Sequence, residues 1–248
     1  MKNKKKNILI LGASSDIGLS LLQKINYNEY FVGAHCNSSF KRLSNNVKKN
    51  KGITIFTKNL SSQLNCHNLV DQFIKKAGKI DVLVQLTGNI DKSISWEKLK
   101  SKNLNNDINI NLNSTIYISQ KVFTNMKKKN SGKFIFTSTG STNYGGNSST
   151  LGYALSKAGI ELFSKTLAKE GGKYNITSNS IAPGFISTRF HTKKLKKNKK
   201  SMKERANLNI LKRAGSVEDV SNLIYFLISN KSDFITGENI PITGGDWL

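Results

Sequence analysis

Residues 8–18 read Ile-Leu-Ile-Leu-Gly-Ala-Ser-Ser-Asp-Ile-Gly, and this stretch decides the fold. Four consecutive apolar residues indicate a buried strand, and the glycine after them allows a tight turn into a helix. A helical pattern then runs from Ile17 to Ile25. A strand, a glycine turn and a helix in this order predict the first unit of a parallel α/β sheet, in which the helix N-terminus offers free N–H groups to a phosphate.

The same alternation continues along all 248 residues, with helical patterns that include 104–126, 151–169 and 217–228. Six further strands are predicted, at Tyr30–Ala34, Ile53–Phe56, Ile80–Leu86, Lys133–Thr137, Ile176–Ile181 and Asn239–Ile242. Apolar strands between helices predict a Rossmann-type, doubly wound parallel sheet of about seven strands with helices on both faces. Residues 1–248 are predicted to form one domain, because no linker rich in Pro, Gly or Ser divides them.

The chain is strongly basic, with 39 Lys and Arg against 15 Asp and Glu and a formal net charge of +24. This excess favours either an acidic partner or a lysine-rich composition spread over solvated surfaces. No base-stacking or groove-reading motif accompanies the charge, so nucleic-acid binding is not predicted. No segment is long enough to cross a membrane.

The charge is densest at Thr192–Lys203, which reads TKKLKKNKKSMK. It lies in a region, near 188–210, that follows the sixth predicted strand. We expect a solvated basic loop or a lid over the site there. The two cysteines, Cys36 and Cys66, form no metal-spaced cluster and no disulfide framework. The sequence therefore predicts no metal site and a cytoplasmic protein with reduced thiols.

Tyr153-Ala154-Leu155-Ser156-Lys157 is the most informative short motif. Residues four apart on a helix share one face, so both functional groups can reach one site. A free tyrosine has a pKa of about 10 and is a poor base at neutral pH, but a nearby ammonium lowers that pKa. The pair is suited to exchanging a proton with a carbonyl or alcohol oxygen.

These motifs, in this order, resemble the short-chain dehydrogenase/reductase family over essentially the whole chain. The resemblance rests on the glycine turn Gly12–Gly18, on Asn111, on the Tyr153–Lys157 motif and on Pro183-Gly184-Phe185-Ile186-Ser187-Thr188. It implies an oxidoreductase that moves hydride between a nicotinamide cofactor and a carbonyl or alcohol group.

The resemblance also implies the catalytic residues. Tyr153 is the acid/base, Lys157 its partner, and Asn111 holds a water that relays protons to the lysine. The family's substrate-orienting serine closes the fifth strand, and counting from Gly132 places Thr139 at that position. Ser138 and Ser141 remain candidates, because the loop to Tyr153 is about one residue longer than usual.

The implied cofactor-binding residues come from every turn at the carboxyl end of the sheet. They are Gly12, Ser14, Ser15, Ile17, Gly18, Asn37, Asn59, Leu60, Gln85, Gly88, Tyr153, Lys157, Pro183, Gly184, Ile186 and Thr188. Three departures stand out: Leu11 replaces a usual threonine, Asp16 replaces the middle glycine of the turn, and Gln85-Leu86-Thr87-Gly88 replaces Asn-Asn-Ala-Gly. A carboxylate at position 16 is electrostatically unfavourable beside a pyrophosphate, although it suits the first turn of a helix.

NADP(H) is favoured over NAD(H) as the cofactor. An NAD enzyme normally carries an acidic residue at the end of the second strand, where this chain has Cys36. Lys41 and Arg42 follow closely and could meet a 2′-phosphate.

The overall pattern looks closest to the 3-oxoacyl-(acyl-carrier-protein) reductases, which bind an acidic carrier. Stretches at 182–186 and 213–215 carry this likeness. Basic residues in the regions that such reductases use for the carrier are Lys127, Lys128, Lys129, Lys169 and Lys173, with 193–203 as a further basic segment. A sugar, polyol or other small-carbonyl reductase is the alternative enzyme, and a non-catalytic binding or regulatory protein is the alternative class. The resemblance also implies a homotetramer or homodimer.

Overall fold

The computed structural model describes residues 5–47, 51–195 and 198–246. Its strands are β1 Lys6–Leu11, β2 Tyr30–Cys36, β3 Ile53–Thr57, β4 Val82–Gln85, β5 Gly132–Thr137, β6 Ile176–Pro183 and β7 Asn239–Ile242. They form one parallel sheet of seven strands in the order β3-β2-β1-β4-β5-β6-β7. The predicted sheet is confirmed, although β4 is shorter than the apolar run that predicted it.

Helices connect the strands. Among the residues described they are α1 Asp16–Lys24, α2 Phe40–Val47, α3 Gln63–Ala77, α4 Ser101–Ile108, α5 Ser114–Lys127, α6 Leu151–Gly171, α7 Lys199–Ala206 and α8 Val217–Ile228. The long helical pattern over 104–126 is α4 and α5, joined by one π-helical turn at Asn109–Asn113. None of the helices described is long and apolar enough to cross a membrane.

Two hydrophobic layers cover the two faces of the sheet, and β1 shows why. Successive side chains of a strand point to opposite faces. Ile8 and Ile10 pack with α1 and α8, whereas Leu9 and Leu11 pack with α3, α5 and α6. Each of these four side chains is almost fully buried, which stabilises the fold by about 1.5–3 kcal/mol per residue. A strand with both faces buried needs an unbroken apolar run, as the sequence has.

The chain order creates a crevice at the carboxyl end of the sheet. From β1 the chain passes to β2 and β3 on one side, and later to β4 and β5 on the other. The connections therefore leave β1 and β4 in opposite directions. Ligands of doubly wound sheets bind at such a switch point, and the glycine turn after β1 opens directly into it.

Part of the segment predicted as a basic loop or lid is helical. Phe190–Lys194 forms a π-helical turn, and α7 begins where the Asn198 side chain accepts a hydrogen bond of 2.8 Å from the Ser201 N–H. The N-cap asparagine explains why a helix starts within a run of lysines. Residues 196 and 197 of this segment lie outside the described residues. Near the end of α7, Arg205 forms an ion pair with Asp246, which ties the helix to the last described residues.

Candidate active site

The turn after β1 depends on two glycines. Gly12 has φ +73°, and a Cβ there would lie 3.0 Å from the backbone of Leu86 and Thr87. A Cβ on Gly18 would lie 2.6 Å from the Ala13 carbonyl oxygen, so only glycine lets α1 pack this closely on the turn. Position 15 supplies the N-cap, since the Ser15 hydroxyl accepts a hydrogen bond of 3.0 Å from the Gly18 N–H. The backbone is that of a phosphate-binding turn.

Asp16 is not an isolated carboxylate. Its Oδ1 accepts from the Arg42 guanidinium at 2.6 Å and from Arg189 Nε at 3.1 Å, and its Oδ2 accepts from the Arg189 N–H at 2.7 Å. Arg42 also donates to the Ser14 carbonyl oxygen. The expected electrostatic conflict is thus reduced, because two guanidinium groups flank the single carboxylate.

The carboxyl end of β2 borders the side of the crevice where doubly wound folds bind the adenosine ribose of a dinucleotide. His35 Nε2 lies 2.8 Å from the Lys58 carbonyl oxygen, and burial lowers the pKa of His35, so the ring is neutral at pH 7. Asn37 directly follows β2 and is exposed, so a bound cofactor could contact it. Asn59 accepts from the Ser61 N–H, while the Leu60 side chain lies in the core.

Tyr153 and Lys157 lie together near the start of α6. Lys157 Nζ is 5.5 Å from the Tyr153 ring centre, and it donates to the Thr137 carbonyl oxygen at 2.7 Å and to the Thr87 carbonyl oxygen at 3.2 Å. Those carbonyls close β5 and follow β4, so two strand ends hold the ammonium. A Cβ on Gly88 would lie 3.8 Å from both Lys157 Nζ and the Tyr153 ring, so bare backbone faces the pair.

Burial perturbs both groups in the protein chain itself. It lowers the pKa of Lys157 from 10.5 to about 7 and raises the pKa of Tyr153. The shift at Tyr153 is opposite to the lowered value predicted from the neighbouring ammonium, because burial removes the hydration of the phenolate and a lysine with a pKa of about 7 is largely neutral at the pH where a phenol ionises. Strongly perturbed pKa values cluster at functional sites, and these two groups lie on one face of α6.

Gln85 lies beneath the pair. Its side chain is fully buried, and its amide donates to the Thr87 hydroxyl at 2.7 Å, the Thr115 hydroxyl at 3.0 Å and the Thr87 carbonyl oxygen at 3.1 Å. Thr115 in turn donates to the Asn111 carbonyl oxygen at 2.8 Å. The side chain predicted to bind the cofactor is therefore used within the protein, where it supports the Thr87 carbonyl that holds Lys157.

Asn111 lies in the π-helical turn between α4 and α5 and is fully buried. Its amide nitrogen donates to the carbonyl oxygens of Asn89 and Asp107, both at 2.8 Å, and its Oδ1 accepts from the Asn89 N–H at 2.8 Å. Asn111 thus fastens the segment after β4 to the helix. A π-helical turn is frequent at functional sites, and the buried carboxamide is satisfied by the chain itself.

The turn after β5 separates the three candidate hydroxyl groups. Ser138 is buried and donates to the Glu161 carboxylate and to the Lys157 carbonyl oxygen at 3.2 Å, so it points into α6. The Thr139 and Ser141 hydroxyls lie 3.2 Å apart and are partly exposed. Thr142 donates to the same Glu161 carboxylate at 2.7 Å, which anchors the turn on both sides of Thr139. Thr139 and Ser141 therefore remain available to a substrate.

The segment after β6 borders the same crevice. Pro183 ends the strand, and the Gly184 N–H donates to the Ile242 carbonyl oxygen at 3.0 Å. Ile186 pairs with Gly215 and its side chain packs into the core, whereas Thr188 stays partly exposed. The ring of Phe190 lies 5.9 Å from that of Tyr153, so this segment reaches the catalytic pair.

Sequence reasoning missed Arg189, Phe190 and Glu161. Glu161 lies four residues after Lys157, and this helical spacing was a usable signal. Arg189 and Phe190 follow the Pro183–Thr188 motif directly, but nothing local shows that they reach Asp16 and Tyr153. Their roles depend on contacts between residues far apart in the chain.

Comparison with known proteins agrees with this geometry. The family model described as Enoyl-(Acyl carrier protein) reductase matches residues 12–246. The 3-oxoacyl-(acyl-carrier-protein) reductase FabG of Buchnera aphidicola subsp. Baizongia pistaciae is 32% identical over 100% of both chains. FabG of Thermotoga maritima is 32% identical over 99% of both chains. The acetoacetyl-CoA reductase of Allochromatium vinosum is 26% identical over 96% of both chains.

Solved structures share the fold at lower sequence identity. A short-chain type dehydrogenase/reductase from Mycobacterium ulcerans superposes with a TM-score of 0.88 at 22% identity, covering 99% of this chain and 91% of that one. ElxO with NADP bound gives a TM-score of 0.86 at 24% identity, covering 98% of both chains.

The chain belongs to the short-chain dehydrogenase/reductase family. It is an oxidoreductase that works with a nicotinamide cofactor. The residues present fit such a dinucleotide, because Gly12 and Gly18 form the phosphate turn and the bare backbone at Gly88 faces Tyr153 and Lys157.

Proposed function

We propose that this chain reduces the keto group of 3-oxoacyl thioesters carried by acyl carrier protein, using NADPH. The observation that carries the proposal is the position of Lys157, whose ammonium is held by the carbonyls of Thr87 and Thr137 beside Tyr153. The full-length relatives at 32% identity that bear this activity in their names support the choice of substrate.

The chain's own residues have distinct roles in this reaction. Tyr153 gives its proton to the carbonyl oxygen of the substrate, and Thr139 or Ser141 holds that oxygen by a hydrogen bond. Lys157 stabilises the phenolate that Tyr153 becomes. Both N–H groups of the Asn111 carboxamide are bonded within the chain, so the water that leads protons back to Lys157 would donate to a remaining lone pair on an Asn111 oxygen. Bound NADPH would supply the hydride. Cofactor residues are proposed as the resemblance gave them, except that Gln85 acts by supporting Thr87.

The preference for NADPH follows from charge. Strand β2 ends at Cys36 and not at a carboxylate, and the exposed fraction of the Arg42 side chain is 26%, which leaves the guanidinium accessible beside the phosphate turn. Arg pairs well with phosphate because its planar fork donates several hydrogen bonds. A structure of ElxO with NADP bound shows that this fold accepts that cofactor.

Two alternatives make different predictions. A reductase of small carbonyl compounds is compatible with this fold, which levodione reductase shares, whereas the likeness to an acetoacetyl-CoA reductase favours a 3-oxoacyl thioester. A non-catalytic protein on the same fold would bind NADPH and turn over nothing. The catalytic pair and its buried support argue against the second alternative.

A substrate panel tests the proposal. NADPH consumption is measured with a 3-oxoacyl-carrier thioester, acetoacetyl-CoA, a diketone and a keto sugar, and NADP⁺ reduction is measured with a polyol; we expect the carrier thioester to have the highest kcat/KM. Tyr153→Phe should lower kcat by about 100-fold or more and retain NADPH binding, because it removes only the transferable proton. Tyr117→Phe, on α5, is the matched control and should leave kcat unchanged. A Tyr153→Phe variant with wild-type turnover would refute the assignment.

We also propose a homodimer or homotetramer located in the cytoplasm. Leu155 and Leu162 are 51% and 69% exposed on α6, and seven residues apart they lie on one face of the helix. A second copy of α6 would cover them if α5 and α6 of two copies pair across a two-fold axis. Sedimentation velocity would contradict this assembly if it gave a monomer, and cell fractionation checks the location.

A further inference from the structure

We propose that Asp16 is a positioning residue for cofactor choice: its carboxylate fixes Arg42 beside the phosphate turn, and the two residues act as one unit that selects a dinucleotide carrying a phosphate on its adenosine ribose. This inference rests on the proposed use of NADPH and assigns part of that preference to a carboxylate. Asp16 stands where the family resemblance calls for glycine.

The guanidinium group of Arg42 is held in one orientation. One nitrogen of its guanidinium donates to the Ser14 carbonyl oxygen and the other donates to Asp16 Oδ1 at 2.6 Å. Two contacts on one rigid fork define both the position and the plane of the group. A guanidinium has five N–H donors, so up to three remain for an anion. Asp16 thereby orients a cation that would otherwise be a mobile side chain.

The cluster of Asp16, Arg42 and Arg189 is positively charged. Asp16 also binds Arg189 through both its backbone N–H and its Nε, so one carboxylate serves two guanidinium groups. The cluster keeps one positive charge, and it lies at the N-terminus of α1, where the helix dipole adds to the positive potential. The exposed fractions of the Arg42, Asp16 and Arg189 side chains are 26%, 19% and 44%, so the cluster is open to a ligand.

The two arginines lie on different segments of the chain. Arg42 lies on α2, next to the carboxyl end of β2, where the adenosine ribose of a dinucleotide is read. Arg189 follows Thr188, on the side of the turn that carries the segment after β6. Asp16 therefore connects two segments on opposite sides of the phosphate turn. We expect Arg42 to affect discrimination between NADPH and NADH, and Arg189 to affect the binding of both cofactors alike.

The test measures the ratio of Kd for NADH to Kd for NADPH by titration calorimetry on the full chain. Removing a carboxylate near the pyrophosphate changes the affinity of both cofactors in the same direction, and this common effect cancels in the ratio. Arg42→Ala should lower the ratio by about tenfold or more, because charge-assisted hydrogen bonds to the phosphate are lost. Asp16→Asn should lower the ratio by about threefold or more.

A double-mutant cycle shows whether the residues act together. In the Arg42→Ala background, Asp16→Asn should leave the ratio unchanged, and Arg189→Ala should weaken both cofactors without changing it. Asp71→Asn is the matched control, because it removes an aspartate from the exposed ion pair between α3 and α5. If Asp16→Asn fails to fold, Arg42→Lys replaces it: the charge remains but the fork is lost, and the ratio should fall.

The outcomes separate the inference from the proposed function. A wild-type protein that binds NADH as tightly as NADPH overturns the proposed cofactor preference and this inference together. A wild-type preference for NADPH that survives Asp16→Asn, or Arg42→Lys in its place, overturns this inference alone. A fall in the ratio of equal size with and without Arg42 also overturns it, because Asp16 would then act by another route.

Discussion

Lys157 has an environment that few lysines share. It is 1% exposed, and among the residues that the structure describes its ammonium donates to two backbone carbonyls and to no carboxylate. Carbonyl dipoles stabilise an ammonium less than a full negative charge does, so desolvation prevails and the pKa falls from 10.5 to about 7. A lysine that titrates near neutral pH can gain and lose a proton during turnover.

This shift predicts a pH dependence of stability. Between about pH 7 and pH 10.5 the unfolded chain binds more protons at this position than the folded chain, so the free energy of unfolding rises with pH. Lys157→Met lacks this contribution. The wild-type protein without cofactor should therefore gain stability relative to the variant, by at most about 1.4 kcal/mol per pH unit. Urea unfolding of both proteins at several pH values above neutrality measures it, and a constant difference would contradict the lowered pKa.

At the scale of elements, the junction between β1 and α1 is closely packed, backbone against backbone. Gly18 lies against the Ala13 backbone, and the Ser15 cap closes the same turn. Backbone atoms cannot move aside as a flexible side chain can, so the junction accepts no added carbon. The phosphate turn therefore depends on packing as much as on its free N–H groups.

Gly18→Ala should destabilise the fold by roughly 1–3 kcal/mol and weaken NADPH binding. Gly172→Ala is the matched control, because Gly172 has helical angles (φ −53°, ψ −46°) and no heavy atom would lie within 4 Å of its new Cβ. That control should be neutral or stabilising by about 0.4–1 kcal/mol. Thermal unfolding compares the two, and equal melting temperatures would show that the turn can relax.

The segment from the end of β4 to Gly88 departs from the family pattern and still holds Lys157. Where the resemblance calls for Asn-Asn-Ala-Gly, this chain has Gln85-Leu86-Thr87-Gly88. The longer Gln85 side chain reaches the hydroxyls of Thr87 and Thr115, and the Thr87 carbonyl still holds Lys157.

At the scale of the whole molecule, part of the net charge of +24 lies together on one surface. Lys127 and Lys173 both lie over the Tyr174 ring, at 5.6 Å and 5.4 Å, so basic residues from α5 and from the turn after α6 form one surface. This surface is the proposed docking site for the acidic carrier. Helix α6 has 21 residues and is ~30 Å long, so the surface at its end is far from Tyr153. An acyl group on a carrier docked here would reach Tyr153 only through a long flexible arm. Otherwise the docked carrier would serve the active site of a second copy of the chain.

Charge reversal tests the docking surface. Lys129→Glu with Lys173→Glu should raise KM for the acyl-carrier substrate by about tenfold at low salt and less at high salt, because exposed charges are screened. A small uncharged thioester should show no change. Lys75→Glu with Lys76→Glu, on α3, is the matched control. If only Lys199→Glu with Lys203→Glu on α7 raises KM, the carrier docks beside the crevice instead.

The sequence alone predicted the sheet, most of its helices and the Tyr153–Lys157 pair, because hydrophobic periodicity and helical spacing are local properties, but it did not predict α2 or α7. Tertiary structure alone decided the edges of the site. Asp16 meets Arg42 and Arg189, which are 26 and 173 residues away, and these contacts turn an unfavourable carboxylate into the centre of a basic cluster. Likewise, only the packing of α6 on β5 turns Ser138 inwards. Such contacts depend on where remote segments meet in space, which no local pattern encodes.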